Sequence, residues 1–141
     1  MDKKIFTSLA ILAVVMIGCA YAADSITISD VNFTIPDGFT EDTDEAIINE
    51  SDSEDGQNYI VNAKTFEKDD QYIIIDVLEY EQNATDDMIN DVGDNTTIKN
   101  VTGYYSDNYI VKIFSYIQDG KVVYITTCND DDNKLLEEVL S

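Results

Sequence analysis

The chain has 141 residues, with 29 Asp and Glu against 8 Lys, no Arg, His or Trp, and a formal charge of −21. Without His the Ser-His-Asp and Cys-His arrangements cannot be built, and most zinc, copper and non-haem iron sites lose their commonest ligand. Without Arg the bidentate clamp on phosphate is gone, and so acidic a surface repels phosphate backbones and anionic headgroups, which argues against nucleic acid and membrane-surface partners.

The N-terminal stretch reads as an export signal. Lys3 and Lys4 precede an uncharged, mostly apolar run from Ile5 to Ala23, and Ala20-Tyr21-Ala22 supplies the small residues that a signal peptidase needs. Three outcomes follow. Cleavage after Ala22 removes residues 1–22 and leaves 28 acidic and 6 basic residues, a formal charge of −22. Met16-Ile17-Gly18-Cys19 resembles a lipobox, so Cys19 is a candidate for lipidation. Retention is the third, because 19 uncharged residues just span a bilayer at about 1.5 Å per residue. All three place residues 23–141 outside the cell or on the outer face of its membrane, with membrane contact only through the N-terminal segment.

Residues 23–141 read as a single acidic α+β domain, an antiparallel sheet of about six to eight short strands with two short helices. Alternation marks strands at Ser25 to Ile28 and Val31 to Ile35, the second ended by Pro36. Asp37 to Gln57, with nine acidic residues and no lysine in 21 positions, reads as an acidic surface loop. A hairpin is expected from Tyr59 to Phe66 and Gln71 to Tyr80, joined by Glu67-Lys68-Asp69-Asp70. Ile73, Ile75 and Val77 form its apolar face, and Asp76 interrupts the other, which should meet solvent there. Thr85 is placed to cap a short middle helix carrying Met88, Ile89 and Val92, with Gly93 as its stop. Thr97 to Thr102 and Tyr104 to Ser106 suggest two more strands, bent at Gly103. The clearest hairpin is Tyr109 to Gln118 with Lys121 to Cys128 around the type I′ turn signal Asp119-Gly120. Its turn places Ile110, Phe114 and Tyr116 with Val123 and Ile125 on one face, and Val111, Ile113 and Ile117 with Val122 and Tyr124 on the other. A C-terminal amphipathic helix is expected to begin around Asp130 to Asp132 and to dock Leu135, Leu136, Val139 and Leu140 on the sheet.

Candidate sites are few. Five sequons occur, at Asn32, Asn49, Asn83, Asn95 and Asn100. Asn83, Asn49 and Asn95 are the favoured glycosylation candidates, since Asn32 and Asn100 fall in expected strands. Two acidic clusters could offer oxygen ligands to calcium, Asp52, Glu54 and Asp55 in one and Asp130, Asp131 and Asp132 in the other. The first does not satisfy an EF-hand loop, and a helix N-cap accounts for the second. Cys128, the one thiol after the leader, reads as a small buried hydrophobe. Asp76, set mid-strand between tyrosines, is the only acid in an unusual position. Paired carboxylates are the only catalytic apparatus that this composition allows. No catalytic residue, cofactor or resident metal is implied. Tyr72, Tyr80, Tyr104 and Tyr105 could form a flat contact surface.

The order of elements supports a resemblance. An opening strand into Phe33 to Phe39 (FTIPDGF), paired strands, Val101 to Ser106 (VTGYYS), the QDGKVVYIT hairpin and a terminal amphipathic helix resemble small exported α+β domains of archaeal surface proteins. Their layout is similar to the Mog1/PsbP-like sandwich. The resemblance implies a non-enzymatic accessory or binding module, with an extracellular or cell-envelope protein or glycan as partner. A small carboxylate-dependent extracellular hydrolase and a calcium-binding surface protein are the alternatives.

Overall fold

The computed structural model describes residues 23–141, so the leader and its candidate residue Cys19 lie outside the described residues. The chain forms nine strands: β1 (Asp24–Ile28), β2 (Val31–Ile35), β3 (Thr40–Glu54), β4 (Gln57–Lys68), β5 (Gln71–Tyr80), β6 (Asp94–Ile98), β7 (Val101–Asp107), β8 (Val111–Gln118) and β9 (Lys121–Cys128). One α-helix, α1 (Lys134–Val139), follows them. Strands β1 and β2 make a two-stranded sheet, and the others make an antiparallel sheet in the order β3-β4-β5-β9-β8-β7-β6. No helix among the described residues is long and apolar enough to cross a membrane.

This architecture corrects the expected α+β class. The domain is mostly antiparallel β-sheet, because both expected helices shrink. In place of the middle helix there is a single 3-10 turn, Asp86–Met88. A helix of two turns is marginal in water, and this segment gains its burial differently, by dropping Ile89 into the sheet at 1 % exposure. The C-terminal helix does carry Leu135, Leu136 and Val139 on its buried stripe. It starts at Lys134, later than expected, because Asp132 and Asn133 adopt left-handed φ values of 55° and 60° that interrupt the helical path.

The acidic segment expected to be a loop is also corrected: residues 40–54 form β3, the longest strand. It is an edge strand, and its pairing with β4 slips twice, between Asp42 and Ile47 and between Ile47 and Glu50. None of its residues is fully buried, so neither alternation nor apolar content marked it as a strand. Carboxylates and bulges on an edge strand discourage pairing with another chain. The hairpin from β3 to β4 turns on Asp55-Gly56, with φ of 50° and 78°.

Three other boundaries moved. Strand β8 begins at Val111, so Tyr109 and Ile110 fall outside it and Ile110, expected on the Phe114 face, is exposed. The β6–β7 turn is Lys99-Asn100, both left-handed, where a strand was expected to continue. Gly103 is not the bend. It lies inside β7, where a Cβ would sit 2.2 Å from the Ser115 carbonyl oxygen and 3.0 Å from the Phe114 ring, so only glycine allows the backbones to come so close. The β4–β5 loop tightens to the two residues Asp69-Asp70. Strands β8 and β9 keep the expected register, pairing Tyr116 with Val123, Phe114 with Ile125 and Ile117 with Val122.

The sheet has one covered face. Ile73, Ile75, Val77, Phe114, Val123 and Ile125 are fully buried there, beneath Val31, Phe33 and Ile35 of β2 and Leu135, Leu136 and Val139 of α1. Asp130 fastens the helical cover. Its carboxylate accepts hydrogen bonds from the backbone N–H of Leu135 (2.8 Å) and Leu136 (3.1 Å) and from the Thr127 hydroxyl (3.1 Å). It therefore serves the first turn of a helix that it precedes by several residues, satisfying donors that the helix itself cannot.

Candidate functional site

The opposite face is covered over only part of its area. The connection from β5 to β6, residues 81–93, lays Ala84, Met88 and Ile89 over Leu78, Val122 and Ile117. Tyr59 and Tyr80, paired across β4 and β5, pack their rings 5.1 Å apart at 47° beside this cover. Burial and the neighbouring Tyr124, Glu54 and Tyr59 push the Tyr80 hydroxyl up to about 12. These rings are packing groups that keep their protons.

Beyond the cover the face opens row by row, and the first row is its border, with Ser115 fully buried and Tyr104 and Tyr124 packed against the covered cluster. Cross-strand pairing sets three successive rows of side chains side by side on it. The first row contains Asp76, Tyr124 and Ser115, continuing to Tyr104. The second contains Thr65, Ile74, Thr126 and Ile113. The third contains Tyr72, Cys128 and Val111. Ile74, Ile113, Val111, Thr126 and Cys128 are half-buried, and Tyr72 is 40 % exposed. Past the third row, Ile110 is 62 % exposed and Tyr109, at a left-handed φ of 73°, is 95 % exposed. Three rows along a strand and three central strands across give a strip of roughly 13 Å by 10 Å, at about 3.3 Å per residue and 4.8 Å per strand.

Asp76 stands at the boundary between cover and strip. Its carboxylate is half-buried, with no hydrogen bond or ion pair to any described residue; the ion pairs formed join Lys64 to Glu41 and Lys121 to Glu79 and Asp30. Burial alone pushes the Asp76 carboxyl above the usual range, and no neighbouring charge contributes. Tyr124, beside it in the row, is raised chiefly by burial, with Glu54 and Asp91 adding to it.

The other expected site residues are dispersed. Asp52 and Glu54 lie on β3, and Asp55 in its turn. Asp52 is engaged with the Ser53 N–H (2.8 Å) and the Tyr59 hydroxyl (3.3 Å). Asp130 is 3 % exposed and its oxygens are already committed, while Asp131 and Asp132 point to solvent in the following turn. Among the described residues no three Cys, Asp or Glu side chains are grouped to hold a metal ion. The asparagines of all five sequons, Asn32, Asn49, Asn83, Asn95 and Asn100, are exposed. Of the tyrosines grouped as a contact surface, Tyr72, Tyr80 and Tyr104 share the partly open face. Tyr105 belongs to the covered side, where its hydroxyl donates to Asn133 (2.8 Å). Cys128 is a free thiol on the strip, half-buried where full burial was expected.

The face that carries Ile74 meets solvent near Asp76 as the sequence suggested, but sequence reasoning missed that Ile113 and Val111 extend the same open area. One signal was present: along the outer face of β9 the residues run Val122, Tyr124, Thr126, Cys128, from large and apolar to small and polar, as expected where a cover ends. No protein-family model, curated protein or solved structure matches the chain. The likeness to exported surface domains therefore rests on the quoted residues alone.

Proposed function

We propose that residues 23–141 act outside the cell as a non-catalytic binding or accessory module, using the open strip of the large sheet as its contact surface. The observation that carries this reading is the contrast within one sheet: one face is sealed by β1, β2 and α1, whereas the other leaves Tyr72, Ile74, Val111 and Ile113 in contact with water. The grouping of these side chains with the exposed Ile110 on an otherwise strongly charged surface supports this reading. The leader supports work outside the cytoplasm, and the five exposed sequon asparagines suit glycosylation there, with Asn49, Asn83 and Asn95 the favoured positions.

The test is site-directed photo-crosslinking on source cells. A photoreactive side chain in place of Ile113 should yield a discrete adduct with an envelope protein or glycan, and one in place of the exposed Asn32 on β2 should not. Equal yields from both positions, or none from position 113, would remove the strip from consideration. Intact mass of the native protein reports on the leader in the same preparation, distinguishing cleaved, lipidated and retained forms and counting glycans. The hydrolase alternative is addressed by Asp76→Asn: loss of a measured polymer-cleaving activity, with folding intact, would replace the binding reading.

A further inference from the structure

We infer that the strip receives a protein partner through a Lys or Arg side chain flanked by apolar residues, with the cation seated on Asp76. This rests on the strip being the contact surface. Two observations lead to a cation. First, a carboxylate is costly to desolvate unless it is paired, and Asp76 has neither a counter-ion nor a hydrogen-bond donor among the described residues. Burial holds its carboxyl above the ordinary range, which measures the same deficit. Second, Asp76 borders half-buried apolar side chains, Ile74 on its own strand and Ile113 in the next row, on a face of a strongly acidic chain, so a cation carried by an apolar partner is the charge-complementary ligand.

The apolar flanks follow from the neighbouring rows. Ile74 and Ile113 lie one row from Asp76, so a partner whose cation reaches the carboxylate lays its adjacent side chains on them. A second copy of this chain fits poorly. It would bring another charge of about the same −22 to the interface and set Asp76 facing like charge. The complement of a strip that is apolar, bounded by Glu67 and Asp70 at the β4–β5 turn and holding one unpaired carboxylate, is a surface that is apolar and basic.

The experiment is an NMR titration of the protein at physiological salt with two peptides, acetyl-Leu-Val-Lys-Val-Leu-amide and the same peptide with norleucine in place of Lys. The Lys peptide should shift resonances of Ile74, Asp76 and Ile113. Its dissociation constant should rise about tenfold or more with norleucine or with Asp76→Asn, and change less than twofold with Asp131→Asn, an exposed acid off the strip. Equal binding of both peptides at the strip would overturn the cation and leave the strip as an apolar contact surface. Lys-peptide shifts spread over the acidic surface and indifferent to Asp76→Asn would overturn the inference as bulk charge attraction. An absence of binding by either peptide would overturn it also, while the crosslink from position 113 judges the surface separately.

Discussion

The two faces of the seven-stranded sheet are made by alternate residues of the same strands, yet they meet different fates. On β8, Phe114 and Tyr116 are buried beneath β1, β2 and α1, whereas Ile113, the residue before Phe114, and Val111 remain half-exposed. Side-chain chemistry does not separate them, since both sets are large and apolar. What separates them is the supply of covering segments. The hairpin β1–β2 and the helix α1 both fall on one side, and the other receives only the connection 81–93, too short to cover all of it. An apolar strand residue is thus core or contact surface according to what the rest of the chain can place over it.

Truncations measure this difference, and the largest effect belongs to the covered face. Phe114→Ala should cost about 3–5 kcal/mol in a urea melt, since the cavity opens between sheet and cover. Asp130→Ala should cost about 3 kcal/mol by the same measurement, because it orphans the N–H groups of Leu135 and Leu136 and loosens the helical cover. Gly103→Ala should cost about 2 kcal/mol or more, forcing β7 away from the Ser115 carbonyl. On the open face, Ile113→Ala should cost about 1 kcal/mol or less. An effect of Ile113→Ala as large as that of Phe114→Ala would mean that the strip is covered in the folded protein.

The smallest expected effect depends on pH. Burial raises the folded-state pKa of Asp76 above its unfolded value, so the folded form binds its proton more tightly. The ionised carboxylate therefore costs stability, and this cost grows as pH rises from the unfolded carboxylate range through the folded value. Asp76→Asn should raise the melting temperature at pH 7 and lose that advantage below the ordinary carboxylate range. An advantage that persists unchanged at pH 3 would assign the gain to something other than charge.

Local rules made much of the sheet legible. Asp119-Gly120 fixed the β8–β9 register, and the run Ile73, Ile75, Val77 identified the buried face of β5. The same dipeptide stands at Asp55-Gly56, but its acidic flanks lack the alternation that marks a hairpin, because an edge strand wet on both sides has the composition of a loop. Lys99-Asn100 was hidden for another reason: lysine is an unusual occupant of a left-handed turn position. Asp76 stood out from sequence as a charge between tyrosines, but its lack of a partner and the open rows beside it depend on strands far apart in the chain.

The sheet order has a kinetic consequence. Strands β3, β4 and β5 follow one another through two-residue turns, and β6 to β9 form a second consecutive run, so nearly every pairing in the large sheet is between neighbours in sequence. The exception is β5 against β9, which spans the whole second run. Loop-closure entropy makes that seam the slow contact to form. Folding then amounts to zipping two preassembled halves. Val77→Ala or Ile125→Ala at the seam, like replacement of Gly120 in the turn of the second half, should therefore slow refolding, whereas Leu136→Ala in the helix that covers the joined sheet should chiefly accelerate unfolding.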